Sequence, residues 1–259
     1  MKIFAVKTRA MLPPKDDLFS LIRSSFLYNK IKLKEKSIIV ITSKIVTIAQ
    51  GRCVKINTDL NKEHQRKEKD KLIKQEADFF IDRKHVPHQL VTLTIKNNIL
   101  IPTSGIDESN ANGYYILWPK KPFLEAKKIH AFIKKEFGVK KVGIIISDSH
   151  TTPLRAGISG ISIAYFGFYP LRDYRGKKDI FARELKMSQT NIVDSLADIA
   201  VFAMGEGNEQ TPIAIIEDAL GIKFGFDSVK NDPLIIDKKQ DIYWPLVNGA
   251  KWSKGKNKK

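Results

Sequence analysis

The feature that most constrains this chain is a set of short, nearly uninterrupted apolar runs that stop abruptly on polar residues. The clearest is GIIISDSH, Gly143 to His150, where three isoleucines lead straight into Ser147, Asp148, Ser149 and His150. Branched aliphatic residues at this density over so short a length read as a buried strand. SIIVIT (37–42), which ends on Ser43 and Lys44, and TPIAIIED (211–218) read the same way. A carboxylate where a buried strand leaves the core needs a partner or a task, because a buried unpaired charge is costly.

Helical periodicity fills the space between these runs. DDLFSLIRSSFLYN (16–29) puts Leu18, Leu21, Ile22 and Phe26 on one face, with Asp16 and Asp17 suited to its N-terminus. PFLEAKKIHAFIKKEFG (122–138) groups Ile129, Phe132, Ile133 and Phe137 and stops at Gly138. SQTNIVDSLADIAVFAMG (188–205) is expected as a helix capped by Ser188, with Ile192, Leu196, Ile199 and Ala203 inward. Residues 62–80 read as an exposed helix. LVTLTI (90–95) and NILIPT (98–103) read as a hairpin across Asn97-Asn98, and YYILWP (114–119) and ISGISIAYFGFYP (158–170) as further strands. Helices and strands mix without strict alternation, which predicts an α+β fold.

The net charge of +17 on 259 residues raises the question of an anionic partner. A basic nucleic-acid-binding module without catalysis is the alternative function. It would interleave aromatics with Lys and Arg on one exposed face. Here the cations are dispersed, often among acids as in KEHQRKEKDKLIKQE (62–76), and the aromatics sit at core-type positions. No nucleic-acid partner is therefore expected. Only KWSKGKNKK (251–259) is a like-charge block, and it reads as a disordered tail. No run approaches the ~18–20 apolar residues of a membrane helix. The first residues, MKIFAVKTRAMLPPKDD, lack a signal-peptide pattern, and the single cysteine, Cys53, fits a reducing, cytoplasmic setting.

Polar residues at strand ends and tight glycine turns are where mixed folds present ligand groups. On that ground Asp107, Glu108, Asp148 and Glu206 are candidates for one acidic cluster. Carboxylates with neighbouring Ser and Asn suit a hard cation such as Mg²⁺ or Mn²⁺ serving a bound phosphate. Each carboxylate taken alone could equally be a turn cap. Gly205-Glu206-Gly207 could form a backbone anion nest. RDYRGKKD (172–179) is either a clamp for phosphate or carboxylate or a charged surface loop. His150 is either a general base or a polar turn residue. HVPH (85–88) with one distant cysteine makes no zinc set, and neither a P-loop nor a dinucleotide-binding fingerprint is present.

Taken in order, TSKIV…QGR (42–52), SGIDESN (104–110), IISDSHTTPLRAG (145–157), PLRDYRGKKDIFARELK (170–186) and AMGEGNEQTPIAII (203–216) resemble the coenzyme F420-0:γ-glutamyl ligase family, from about residue 5 to residue 216. The resemblance implies a fold of two intertwined α+β subdomains over residues 1–220, with 221–259 as a C-terminal extension, and a homodimer. It implies a ligase that uses GTP (or ATP) and divalent metal to join L-glutamate by an amide bond to an acidic acceptor, F420-0 or, in a folate-metabolism branch, a folate. Carried over residue by residue, the metal ligands fall on Asp107, Asp148, Ser149 and Glu206. The nucleotide contacts fall on Met11, Leu12, Ser43, Lys44 and Asn110, and on the loop Gly205, Glu206, Gly207, Asn208, Glu209, Gln210, Thr211 and Pro212. Asp148 and Arg155 are the catalytic candidates, and Arg172 and Arg175 are further candidates for holding carboxylates. The chain departs from the family pattern at Ile48, where many members carry Lys, and at Leu12-Pro13-Pro14.

Overall fold

The computed structural model describes residues 1–226 and 232–257. The chain opens with β1 (Lys2–Val6), α1 (Leu18–Tyr28), β2 (Ser37–Thr42) and α2 (Ser43–Ala49). A central stretch follows, comprising β3 (Cys53–Lys55), α3 (Lys62–Glu76), β4 (Phe79–Ile81), β5 (Leu93–Lys96), β6 (Ile99–Pro102) and β7 (Tyr114–Ile116). Next come α4 (Pro122–Phe137), β8 (Val142–His150), β9 (Ser159–Phe166), β10 (Leu171–Asp173) and β11 (Gln189–Asn191). The last elements are α5 (Ile192–Met204), β12 (Ile213–Glu217), α6 (Trp244–Gly249) and β13 (Ser253–Lys254).

The apolar runs assemble one five-stranded sheet in the order β1-β12-β2-β8-β9. Its one parallel pair is β2 with β8, and the other neighbours are antiparallel. The runs are apolar at successive positions because both faces are covered. Ile39, Ile41, Ile144, Ile146, Ile213 and Ile215 share a core with α1, α2 and α4. Ile38, Val40, Ile145, Ala214 and Ile216 share another with α5. Alternation along a strand sends neighbouring isoleucines into different cores. Each buried side chain of this size is worth roughly 1.5–3 kcal/mol.

A smaller four-stranded sheet, β13-β4-β5-β6, is built from the segment between β2 and β8, and its edge strand comes from the far end of the chain. The fold is α+β, and the chain passes between the two sheets three times. The β5–β6 turn is the expected Asn97-Asn98, both with positive φ (50° and 64°), the conformation a two-residue hairpin needs. Among the described residues no helix is long and apolar enough to cross a membrane.

Several boundaries differ from expectation. The helix expected over 62–80 ends at Glu76, and Phe79–Ile81 pairs with β5 instead. The cap of α5 is Asn191, whose side chain accepts from the Asp194 N–H, not Ser188. Residues 189–191 are taken by pairing with β10, which delays the helix. The buried stripe of α5 runs through Val193, Leu196, Ala197, Ala200 and Met204, leaving Ile199 and Ala203 at its margin. The block read as a disordered tail is placed against β4. Ser253 and Lys254 pair with Phe80 and Phe79, and the Asn257 N–H donates to the Ala77 carbonyl. Backbone pairing to an open strand edge outweighs the repulsion of its lysines; Lys258 and Lys259 lie outside the described residues.

Helix α5 lies on β9 at Gly160. A Cβ there would stand 2.5 Å from the Ala197 carbonyl oxygen and 2.6 Å from Asp198 Cα, backbone atoms that cannot turn aside. Gly160→Ala is expected to lower unfolding free energy in urea by about 1–3 kcal/mol, the usual cost of overpacking. It should also disturb the turn that follows α5.

Candidate active site

Because β2 and β8 are parallel neighbours, with Thr42 opposite Ser147, they deliver their C-terminal residues to the same end of the sheet. Ser43 and Lys44 open α2 there, and Asp148 stands one residue past Ser147. The carboxyl ends of adjacent parallel strands are a recurrent ligand position in mixed sheets. The β8–β9 register shifts between Ile146 and Ser147, a bulge at the point where the strand leaves the core.

Asp107 arrives from the loop after β6. Lys44 Nζ lies 2.7 Å from its Oδ2 and donates to the Ser109 carbonyl at 2.9 Å. The other oxygen accepts from the N–H groups of Glu108 (2.6 Å) and Ser109 (2.8 Å) and from the Ser109 hydroxyl (2.9 Å). Burial works against this charge, but Lys44 and Ser109 outweigh it and hold Asp107 below its ordinary pKa.

Asp148 is the opposite case. Burial, with a push from Asp107, raises its carboxyl to about 7, against hydrogen bonds from Trp118, the Ser149 N–H and Ser43. Trp118 Nε1 donates to Oδ2, and the Ser149 N–H donates to Oδ1 at 2.8 Å. Ser149 enters the site through this N–H. His150 Nε2 is 3.2 Å from the Ser159 hydroxyl.

The turn Gly205–Gly207 follows α5 directly. It is solvent-exposed, yet the protein around the Glu206 carboxyl raises its pKa, first by desolvation and then through Asp107 and Glu209, with Lys44 opposing. Asn110 Nδ2 donates to the Gly207 carbonyl at 2.7 Å, tying the Asp107 loop to this turn. The Gly207 N–H donates to Glu209 Oε2 at 2.8 Å, and a Cβ on Gly205 would stand 2.5 Å from Glu209 Cδ. The turn thus already grips an anion, supplied by the chain itself. The loop is pinned on both sides: the Thr8 N–H donates to the Gln210 carbonyl, the Thr42 N–H to the Pro212 carbonyl and the Thr211 hydroxyl to the Met204 carbonyl. Asn208 is exposed beside it.

Four segments distant in sequence therefore meet: 43–44, 107–110, 148–149 and 205–212. Among the described residues no three His, Cys, Asp or Glu side chains stand together at metal-holding distance. The donor set nevertheless suits a hard divalent cation: Asp148 and Glu206 both carry carboxyls pushed upward by burial and by Asp107, a strain that a cation relieves. An open cleft of about 620 Å³ lies beside Glu206, lined in part by Ile158, Ser159, Asp198, Phe202 and Gly205.

Other candidates stand apart. Met11 is buried with the α1 core, so only its backbone can face a ligand, whereas the Leu12 side chain is exposed and its N–H donates to Asp16. Arg155 lies in the exposed loop between β8 and β9 and makes no side-chain hydrogen bond among the described residues. Arg172 donates to the Leu220 carbonyl and Arg175 pairs with Asp173. Both sit near the start of α5, about 20 Å from its other end by helix rise, away from Glu206. Ile48 faces the core. Sequence reading passed over Trp118. Its only signal was a tryptophan inside a buried strand run, where an indole N–H must find an acceptor.

A model of the family described as F420-0:Gamma-glutamyl ligase matches residues 6–218. The chain is 40% identical over 148 residues to the Coenzyme F420:L-glutamate ligase of Methanocaldococcus jannaschii, a match covering 57% of this chain and 58% of that relative. Longer matches to the proteins of the same name from Methanococcus maripaludis reach 32% identity over 219 residues (82% of this chain, 86% of the relative) and 33% over 225 residues (84% and 88%). With a family match over most of its length, the chain belongs to the F420-0:gamma-glutamyl ligase family.

Proposed function

We propose that this protein is a nucleotide- and divalent-metal-dependent γ-glutamyl ligase that joins L-glutamate to the carboxylate of an acidic acceptor, F420-0 or a folate, and works as a cytoplasmic homodimer. The observation that carries this reading is the Asp107–Lys44 ion pair at one end of a parallel strand pair, with Asp148 and the Glu206 turn near enough for Asp107 to raise both their carboxyls. The names of the relatives supply glutamate and F420-0 as the substrates to test first.

Amide formation from a carboxylate needs an activated leaving group. The acceptor carboxylate attacks the terminal phosphoryl group of the nucleotide, the bond to the diphosphate breaks, and an acyl phosphate results. The glutamate amine then displaces phosphate and loses a proton. Mg²⁺ or Mn²⁺, held by Asp107, Asp148 and Glu206 with Ser149 adjacent, would neutralise the phosphate charge. Lys44 offers a cation, and the Gly207 N–H offers a backbone donor once Glu209 lets it go. Arg155, in the exposed loop that follows β8, would take a substrate carboxylate if that loop folds over the site.

Glu209 occupies the Gly207 N–H, a backbone donor that a phosphate would use. Glu209→Ala is therefore expected to tighten binding of a fluorescent GTP analogue about five- to tenfold, or roughly 1 kcal/mol. Unchanged affinity would place the phosphates elsewhere.

The deciding experiment is a mass-spectrometric ligation assay with L-glutamate, Mg²⁺ or Mn²⁺, and GTP or ATP, with F420-0 and tetrahydrofolate as parallel acceptors. One added glutamyl unit on either acceptor supports the reading and names the substrate. No product from either, with nucleotide left intact, refutes it.

A further inference from the structure

Trp118 is 1% exposed and lies between β7 and α4, with its indole N–H aimed at Asp148 Oδ2. That aim is fixed from several sides. Arg52 Nε donates to the Trp118 carbonyl at 2.9 Å, and Arg52 Nη2 reaches both oxygens of Glu76 at 2.9 Å. Glu76 in turn accepts from Lys96, whose Nζ stands 5.7 Å from the centre of the Trp118 ring. On another side the backbone of Gly105 comes so close that a Cβ would stand 1.9 Å from Trp118 Nε1. Arg52, Glu76, Lys96 and Gly105 all belong to the segment that builds the smaller sheet, whereas Asp148 belongs to the larger one.

We propose that Trp118 is a positioning residue for Asp148. Its N–H holds one carboxylate oxygen and so sets the direction in which the remaining lone pairs face the Asp107 side of the site, while Gly105 and the Arg52–Glu76–Lys96 group are its mount. The inference rests on the reading of Asp148 as a metal ligand. A tryptophan that served only as core filling would need any nearby carbonyl for its N–H. This one uses a carboxylate at the strand exit and is braced by a largely buried charge network, a costly arrangement that fixes geometry more than it adds stability. Groups that hydrogen-bond a metal ligand commonly change metal affinity by 10–100-fold when removed.

The test is Mn²⁺ binding without nucleotide, followed by the electron paramagnetic resonance signal of free Mn²⁺, for the wild type, Trp118→Phe, Gly105→Ala and Asp148→Asn. Trp118→Phe keeps the ring and loses the N–H; Gly105→Ala keeps the indole and displaces it. Both are expected to weaken Mn²⁺ binding 10–100-fold while far-UV circular dichroism stays native, and in turnover kcat should fall with the KM for glutamate unchanged. Asp148→Asn should abolish the binding. A second measurement needs no variant: Mn²⁺ should quench part of the wild-type tryptophan fluorescence, with the same midpoint as the resonance titration. Wild-type affinity retained in a folded Trp118→Phe, or no quenching in a wild type that binds Mn²⁺, overturns the positioning role. A wild type that binds no Mn²⁺, or an Asp148→Asn that binds it unchanged, overturns the metal reading itself and this inference with it.

Discussion

Replacing Asp148 with Asn is expected to cut metal-dependent ligation by about 10²–10³-fold, the loss typical of removing one preorganised electrostatic group. In metal-free buffer the same change is expected to stabilise the protein. The Asp148 carboxyl is raised from 3.8 to about 7, chiefly by burial, so the folded state prefers it protonated. Its contribution to stability is fully present below about pH 4 and is lost as pH rises through 7. The displacement corresponds to about 4 kcal/mol at most. Urea unfolding in EDTA should show the variant matching the wild type near pH 4 and exceeding it above pH 7, with Mn²⁺ closing the gap for the wild type alone. A variant equally active, or one whose advantage does not grow with pH, would remove Asp148 from the site.

Glu76→Ala carries the largest expected loss of stability. Glu76 lies between Arg52 at 2.9 Å and Lys96 at 2.5 Å, and Lys96 is 4% exposed. Burial pushes the Lys96 pKa down even with its partner in place, and Glu76 is held below its ordinary value because its two cations outweigh its own burial. Removing the carboxylate leaves the buried Lys96 beside the half-buried Arg52 with no counter-charge, which costs about 3–5 kcal/mol. Urea unfolding measures this directly. Adding Lys96→Met should recover much of it, since the neutral pair leaves one cation without a close rival. Glu76 also gives the wild type a contribution that is present above its ordinary pKa and is lost as pH falls through its lowered folded value. A single variant with wild-type stability would mean water reaches Lys96.

Much of the fold was legible because local chemistry decided it. Asn97-Asn98 names its own turn, and Gly138 ends α4 with a φ of 70°. Boundaries failed where pairing overrode propensity: residues 189–191 were claimed by β10, and 253–254 by β4. At the candidate site the residue types were legible, but their adjacency was not. Ser43 and Asp148 are neighbours only because β2 and β8 pair in parallel across more than a hundred residues. The same long reach hid Trp118, whose partner lies thirty positions away. Arg172 and Arg175 carried a charge argument with no geometry behind it, and α5 separates them from Glu206.

The strand order has a kinetic consequence. β1 waits for a partner whose residues pair 2 with 217, and β2 waits for residues 142–147. Until those segments have been synthesised, SIIVIT has no native neighbour and stays a sticky edge. Such non-local pairing belongs to the slow end of the folding spectrum, about milliseconds to seconds. Yield from expression should therefore respond to temperature and chaperone supply more strongly than equilibrium stability alone would suggest.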